Sequence, residues 1–182
     1  MVLLGSKAPQ RTVEQHDYFF GIASSLQELV PQMHDFWPEA GSSLHIDGWR
    51  EVTHVDGYAV HVVLNEQRQP DNGKRLFFVN LGGYQSGKLE EQHYTLLTVQ
   101  DDRKGAIKTS TMTDFFKNQS IAAVKSASAH IDEKYGIDVD DVYRIEDVLP
   151  ASVKGRYRIA LVPEEDVLPD AVHLGYYKLD KL

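Results

Sequence analysis

Val2-Leu3-Leu4-Gly5 and Val79-Asn80-Leu81-Gly82 stand 77 positions apart, and Glu14-Gln15-His16 returns at the same spacing as Glu91-Gln92-His93. The apolar runs behind them, Tyr18-Phe19-Phe20 and Thr95-Leu96-Leu97, keep the interval. Met33-His34-Asp35-Phe36-Trp37 then answers Met112-Thr113-Asp114-Phe115-Phe116 at 79, and His45-Ile46-Asp47 answers His130-Ile131-Asp132 at 85. Blocks repeated in one order, at an interval that only grows, indicate tandem duplication of a unit of about 80 residues, with insertions in the second copy. The copies are expected over 1–78 and over 79–182, the second including a C-terminal strand, and shared strands are expected to fuse them into one body. The largest insertion, Lys117–Ala129 against Pro38–Leu44, is expected at a surface connection, where extra length costs little.

Within each copy the pattern reads strand, strand, helix, strand. The first strand ends in Leu-Gly, and the second covers Tyr18–Ala23 or Tyr94–Gln100. In the first copy Ser25 and Glu28 fit a capping box, and Leu26, Leu29, Val30, Met33 and Trp37 then share one helical face. Pro31 conflicts with that helix by removing a backbone donor, and Pro38 is a reasonable stop. In the second copy Asp101 or Asp102 caps a helix predicted to reach Phe116. The closing strands are predicted at Tyr58–Leu64 and Val142–Val148, and a last one at Val172–Lys178. The expected fold is α+β: a duplicated strand-strand-helix-strand unit, largely antiparallel sheet with two packed helices.

Hydrophobic residues make up 42% and charged residues 25% of the chain, which excludes wholesale disorder and a fibre. The absence of cysteine excludes a disulfide scaffold, a thiol nucleophile and thiolate metal ligation. The net charge of −8 divides evenly between the two copies. No phosphate-tracking face is therefore expected and no nucleic-acid partner, the basic trio Lys154, Arg156 and Arg158 reading as a solvated strand edge. No stretch approaches the ~20 apolar residues of a membrane helix, and Met1-Val2-Leu3-Leu4-Gly5 is too short for a secretory apolar region. The expectation is a cytoplasmic protein, monomer or homodimer, with no membrane partner.

The motifs Leu81-Gly82-Gly83-Tyr84, Glu91-Gln92-His93-Tyr94, His-Ile-Asp, the acidic strand entry Asp138-Val139-Asp140-Asp141 and the terminal Leu174-Gly175-Tyr176-Tyr177-Lys178-Leu179-Asp180-Lys181-Leu182 resemble the bacterial family known as domain of unknown function 1543. The resemblance spans nearly the whole chain. It implies a small soluble bacterial protein whose domain occurs in one or two copies, and it implies no activity, cofactor or site residue. The first copy departs from the second at Asp56-Gly57 against Asp140-Asp141.

The repeated polar residues carry what chemistry there is. Glu14 and His16, like Glu91 and His93, share a strand face because side chains alternate; His45 with Asp47, and His130 with Asp132, do so if extended. Imidazole with carboxylate suits zinc or iron, yet two ligands per motif are too few and no HExxH spacing occurs, so no residue is assigned to a metal and no cofactor is expected. Asp138–Asp141 lacks the glycine and distant glutamate of a calcium loop. No GxGxxG, P-loop or GxSxG nucleophile elbow appears. Tyr84, Tyr176 and Tyr177 are placed along a surface groove. The candidate ligand-binding residues are His45, Asp47, His130, Asp132, His16 and His93, with a structural role in bonding turns and helix ends as the favoured reading. The leading function is a non-catalytic binding or interaction module for an unknown small ligand or protein partner. The alternative is an enzyme of unknown class, a metal-assisted hydrolase using the repeated His and Asp; convergence of His16, His45 and Asp47 on one cavity, repeated by His93, His130 and Asp132, would favour it, and dispersed, buried, hydrogen-bonded positions would favour the module.

Overall fold

A computed structural model describes residues 1–67, 71–84, 89–118, 137–165 and 167–182. The chain forms two compact units: Met1–Gln69 with Val148–Leu182, and Pro70–Asp147. The division falls at 69/70 and 147/148, so the C-terminal segment is part of the unit that opens the chain.

Unit 1 opens with β1 (Val2–Ser6), β2 (Gln15–Phe19), α1 (Leu26–Phe36), a 3-10 turn (Pro38–Ser43) and β3 (His45–Trp49), followed by β4 (His54–Val55) and β5 (Tyr58–Leu64). Helix α1 begins where its cap is satisfied: Ser25 Oγ accepts the Glu28 N–H, and Glu28 Oε2 in turn accepts the Ser24 N–H at 2.9 Å. Pro31 sits on the exposed side, where its missing donor is tolerated. Alternation along the strands sends Val2, Leu4, Phe19 and Ile46 to one face, where they meet Leu29 and Met33 of α1 in a closed core. Burying each such side chain contributes about 1.5–3 kcal/mol.

Unit 2 holds β6 (Arg75–Tyr84), β7 (Glu91–Gln100), α2 (Arg103–Ser110), α3 (Asp114–Asn118) and β8 (Ile137–Arg144), in a sheet ordered β7-β6-β8. Asp102 caps α2 by accepting the Gly105 N–H at 2.8 Å. The single helix predicted to Phe116 is instead broken, because the hydroxyls of Ser110, Thr111 and Thr113 bond back to helix carbonyls and offer the backbone another way out. Phe77, Val79, Leu81, Ala106 and Val142 form its core. The strand predicted over Val142–Val148 starts earlier, and Ile145–Val148 is one helical turn. Arg75 donates to both oxygens of Asp71 and holds that carboxyl well below its usual range.

The chain then completes unit 1 with β9 (Tyr157–Pro163) and β10 (His173–Lys178). One sheet is ordered β10-β3-β1-β2 and a second β4-β5-β9, all pairings antiparallel. Strand β5 therefore stands in a separate sheet, and the third strand of the first hairpin is β3. Burial works to raise the Asp170 carboxyl, but bonds from Thr53 Oγ1, Thr53 N–H and His54 N–H outweigh it and hold the group below the usual carboxylate range. The insertion expected over Lys117–Ala129 lies, from residue 119 on, outside the described residues. Among the described residues no helix is long and apolar enough to cross a membrane.

Candidate functional site

The face of the first sheet opposite α1 carries a row of three residues abreast: His16 of β2, Gly5 of β1 and His45 of β3, with Gly5 paired to both histidines. A register shift between Leu3 and Leu4 leaves Asp47 without an opposite residue on β1, so β3 bulges there. An ideal Cβ on Gly5 would lie 2.4 Å from Asp47 Oδ2 and 2.5 Å from His45 Nε2. The missing side chain of Gly5 is thus the space in which these two polar groups meet.

Four side chains converge there. His45 Nε2 lies 2.8 Å from Glu14 Oε1 and 3.3 Å from Asp47 Oδ1, and His16 Nε2 lies 3.0 Å from Asp47 Oδ2. Among the described residues Glu14, His45 and Asp47 offer ligand atoms all within 4.8 Å of one another. The site is graded from wet to dry: the side chains of His16 and Glu14 are 46% and 41% exposed, that of Asp47 24%, and that of His45 only 5%. Behind His45, Ser43 at the end of the 3-10 turn accepts from Nδ1 through its carbonyl at 2.8 Å, while its hydroxyl reaches Ala40 O and Ser6 Oγ. A carbonyl only accepts, so Nδ1 carries a proton, and Nε2 is the ring nitrogen that faces the two carboxylates. The ring of Tyr176, from β10, lies against the His45 ring at a centroid distance of 4.4 Å.

Short separations notwithstanding, neither His45 Nε2 nor Asp47 Oδ2 has a hydrogen bond of acceptable geometry, and both atoms are shut off from solvent. The groups lie at ion-pair distance but are not aimed as donor and acceptor. Angle decides here, because hydrogen bonds weaken steeply when misaligned.

The structure brings together His16, His45 and Asp47. His45 bonds a neighbouring carbonyl, as the structural reading expected, whereas the Asp47 oxygens face imidazoles rather than a turn. His93 stands in unit 2, where Asn80 Nδ2 donates to its Nδ1 at 3.4 Å and Glu91 Oε2 is 3.6 Å from its Nε2. His130 and Asp132 lie outside the described residues. In register, the strand of unit 2 that answers β3 is β8: Leu4 pairs with Ile46 and Leu81 with Val139. Three participants stand outside the six candidate residues: Glu14, signalled by its spacing from His16; Gly5, signalled by the repeated Leu-Gly; and Tyr176, expected along a groove, whose approach to His45 no local pattern carries.

Residues 11–62, which include Glu14, His16, His45 and Asp47, match the model of a family described as Domain of Unknown Function (DUF1543). It is the family that the motifs resemble. No curated protein matches the chain. Among solved structures, a protein Il1583 from Idiomarina loihiensis is similar at 22% identity, with a TM-score of 0.64 over 98% of this chain and 94% of that one. That likeness establishes a shared fold.

Proposed function

We propose that this DUF1543-like protein is a non-catalytic binding module and that the cluster of Glu14, His16, His45 and Asp47 is its ligand site. The observation that carries the reading is the buried Nε2 of His45, which faces two carboxylates without a well-aimed hydrogen bond. A buried polar atom left in this state costs about 1–3 kcal/mol. A site built around such an atom gains from a ligand that satisfies it, and the two carboxylates select a cationic one. A thermal-shift screen of divalent metal ions and organic diamines on the wild type and on His45→Ala tests this. The expected result is a stabilising ligand whose effect disappears in the variant; ligands that act equally on both chains overturn the assignment of the site.

The convergence of His16, His45 and Asp47 supports a second reading, metal-assisted hydrolysis by the same residues. Turnover of ester or phosphoester substrates by metal-supplemented protein, abolished by His45→Ala, would establish it in place of the first.

With the binding reading go its finer parts: a cytoplasmic bacterial protein, monomeric or homodimeric, made of two copies of one strand-strand-helix-strand element, with a small ligand or protein rather than nucleic acid as partner. The duplication is supported by common registers, Gly5 opposite His16 and Gly82 opposite His93, and by register shifts after Leu3 and after Asn80.

A further inference from the structure

The binding site leaves the chemistry of its cation open, and the spacing of its acceptors narrows it. Acceptors around an organic ammonium each sit about 2.8 Å from the nitrogen, which puts them roughly 4.6 Å apart in tetrahedral array. Ligands bonded to a transition metal at about 2.1 Å are separated by about 3.0 Å in an octahedron and 3.4 Å in a tetrahedron. His45 Nε2 is 2.8 Å from Glu14 Oε1 and 3.3 Å from Asp47 Oδ1, close to the metal spacings and far inside the ammonium one.

Three further features agree. The Nδ1–H of His45 is held by the carbonyl of Ser43, the outer bond that a metal-ligating histidine ordinarily makes, and it leaves Nε2 as the donor atom. Two carboxylates match the charge of a divalent ion. An imidazole donor disfavours calcium and magnesium, which take oxygen ligands. Resting on the binding reading above, we infer that the ligand is a divalent first-row transition cation, of which zinc is the type, held by Nε2 of His45 and the carboxylates of Glu14 and Asp47. His16, on the second oxygen of Asp47, orients that carboxylate from the open side. Gly5, having no side chain, admits the Asp47 and His45 groups that would hold the ion.

The test uses the untagged whole chain after treatment with a chelator. Zn2+ binding is followed by calorimetry, and Co2+ binding by its visible absorption. The wild type is expected to bind an equivalent of metal that His45→Ala lacks, with affinity lowered at least ~10-fold in Glu14→Gln. The Glu14 side chain is 41% exposed, so that variant keeps the fold should His45→Ala lose it. Absence of Zn2+ and Co2+ binding in the wild type, or binding unchanged in both variants, overturns the inference. A diamine, putrescine, separates this failure from the wider one. Putrescine binding that needs His45, without metal binding, removes the metal and keeps the binding module; binding of neither removes both.

Discussion

The central glycine of each hairpin has a different pair of neighbours. In unit 1 the row reads His16, Gly5, His45; in unit 2 it reads His93, Gly82, Asp138, at the same register positions. The bulge in the third strand also recurs, with Asp47 unpaired in one unit and Asp140 in the other. The backbone scaffold is common, and the residue on the third strand differs: an imidazole locked by Ser43 in unit 1, a carboxylate residue in unit 2. An imidazole offers a ring nitrogen to a ligand, whereas a carboxylate offers only oxygen. The lesson is that one scaffold supports a dry nitrogen donor only where its third strand supplies a histidine.

The helices differ in the same direction. Helix α1 is continuous and seals its sheet face with Leu29 and Met33, while α2 and α3 are separated by Thr111–Thr113. Met33→Ala attacks the better-sealed unit and has the largest expected effect on stability. Met33 is fully buried, so about 2–5 kcal/mol should be lost, read by urea denaturation. A loss under 1 kcal/mol would show that the α1 face is no better packed than its counterpart.

Gly5→Ala strikes the feature shared by both units. Its Cβ would displace the Asp47 and His45 side chains, so Co2+ absorption should fall at least ~100-fold in affinity while the far-UV spectrum is kept, overpacking costing about 1–3 kcal/mol. Gly82→Ala should leave that absorption unchanged; equal loss from both would mean that the two glycines serve the fold alone.

Acid separates the units by their carboxylate staples, Asp170 in unit 1 and Asp71 in unit 2. Both are held below their usual range, so each binds a proton less readily folded than unfolded. Their stabilisation is present above about pH 4 and is lost as pH falls through the folded value. Asp170→Asn should cost about 1–3 kcal/mol at neutral pH and flatten the acid limb of the stability profile. An unchanged limb would assign acid sensitivity to other groups.

The smallest effects test the imidazoles at matching positions. His16→Ala should weaken Zn2+ about 10-fold, since His16 acts through Asp47. His93→Ala should leave it unaltered and shift stability by no more than about 0.5 kcal/mol, the His93 side chain being half exposed. Equal weakening by both would place metal in both units.

Much of this arrangement is written in short-range pattern. The cap at Ser25, the apolar face of α1 and the sharing of one strand face by His45 with Asp47 follow from helix and strand periods, which act over a few residues. The repeated Leu-Gly and Glu-Gln-His blocks marked both hairpins for the same reason. Pairing is another matter. That His45 meets Glu14 across 31 positions, that Val139 answers Ile46, and that β10 returns to lay Tyr176 on His45 are decided by pairing between segments far apart in the chain. The His-Ile-Asp tripeptide at His45 becomes a cluster because its strand is seated beside Gly5 with a bulge at Asp47. Local propensity sets which way a side chain points; tertiary pairing alone sets what it meets and how much water is left between them.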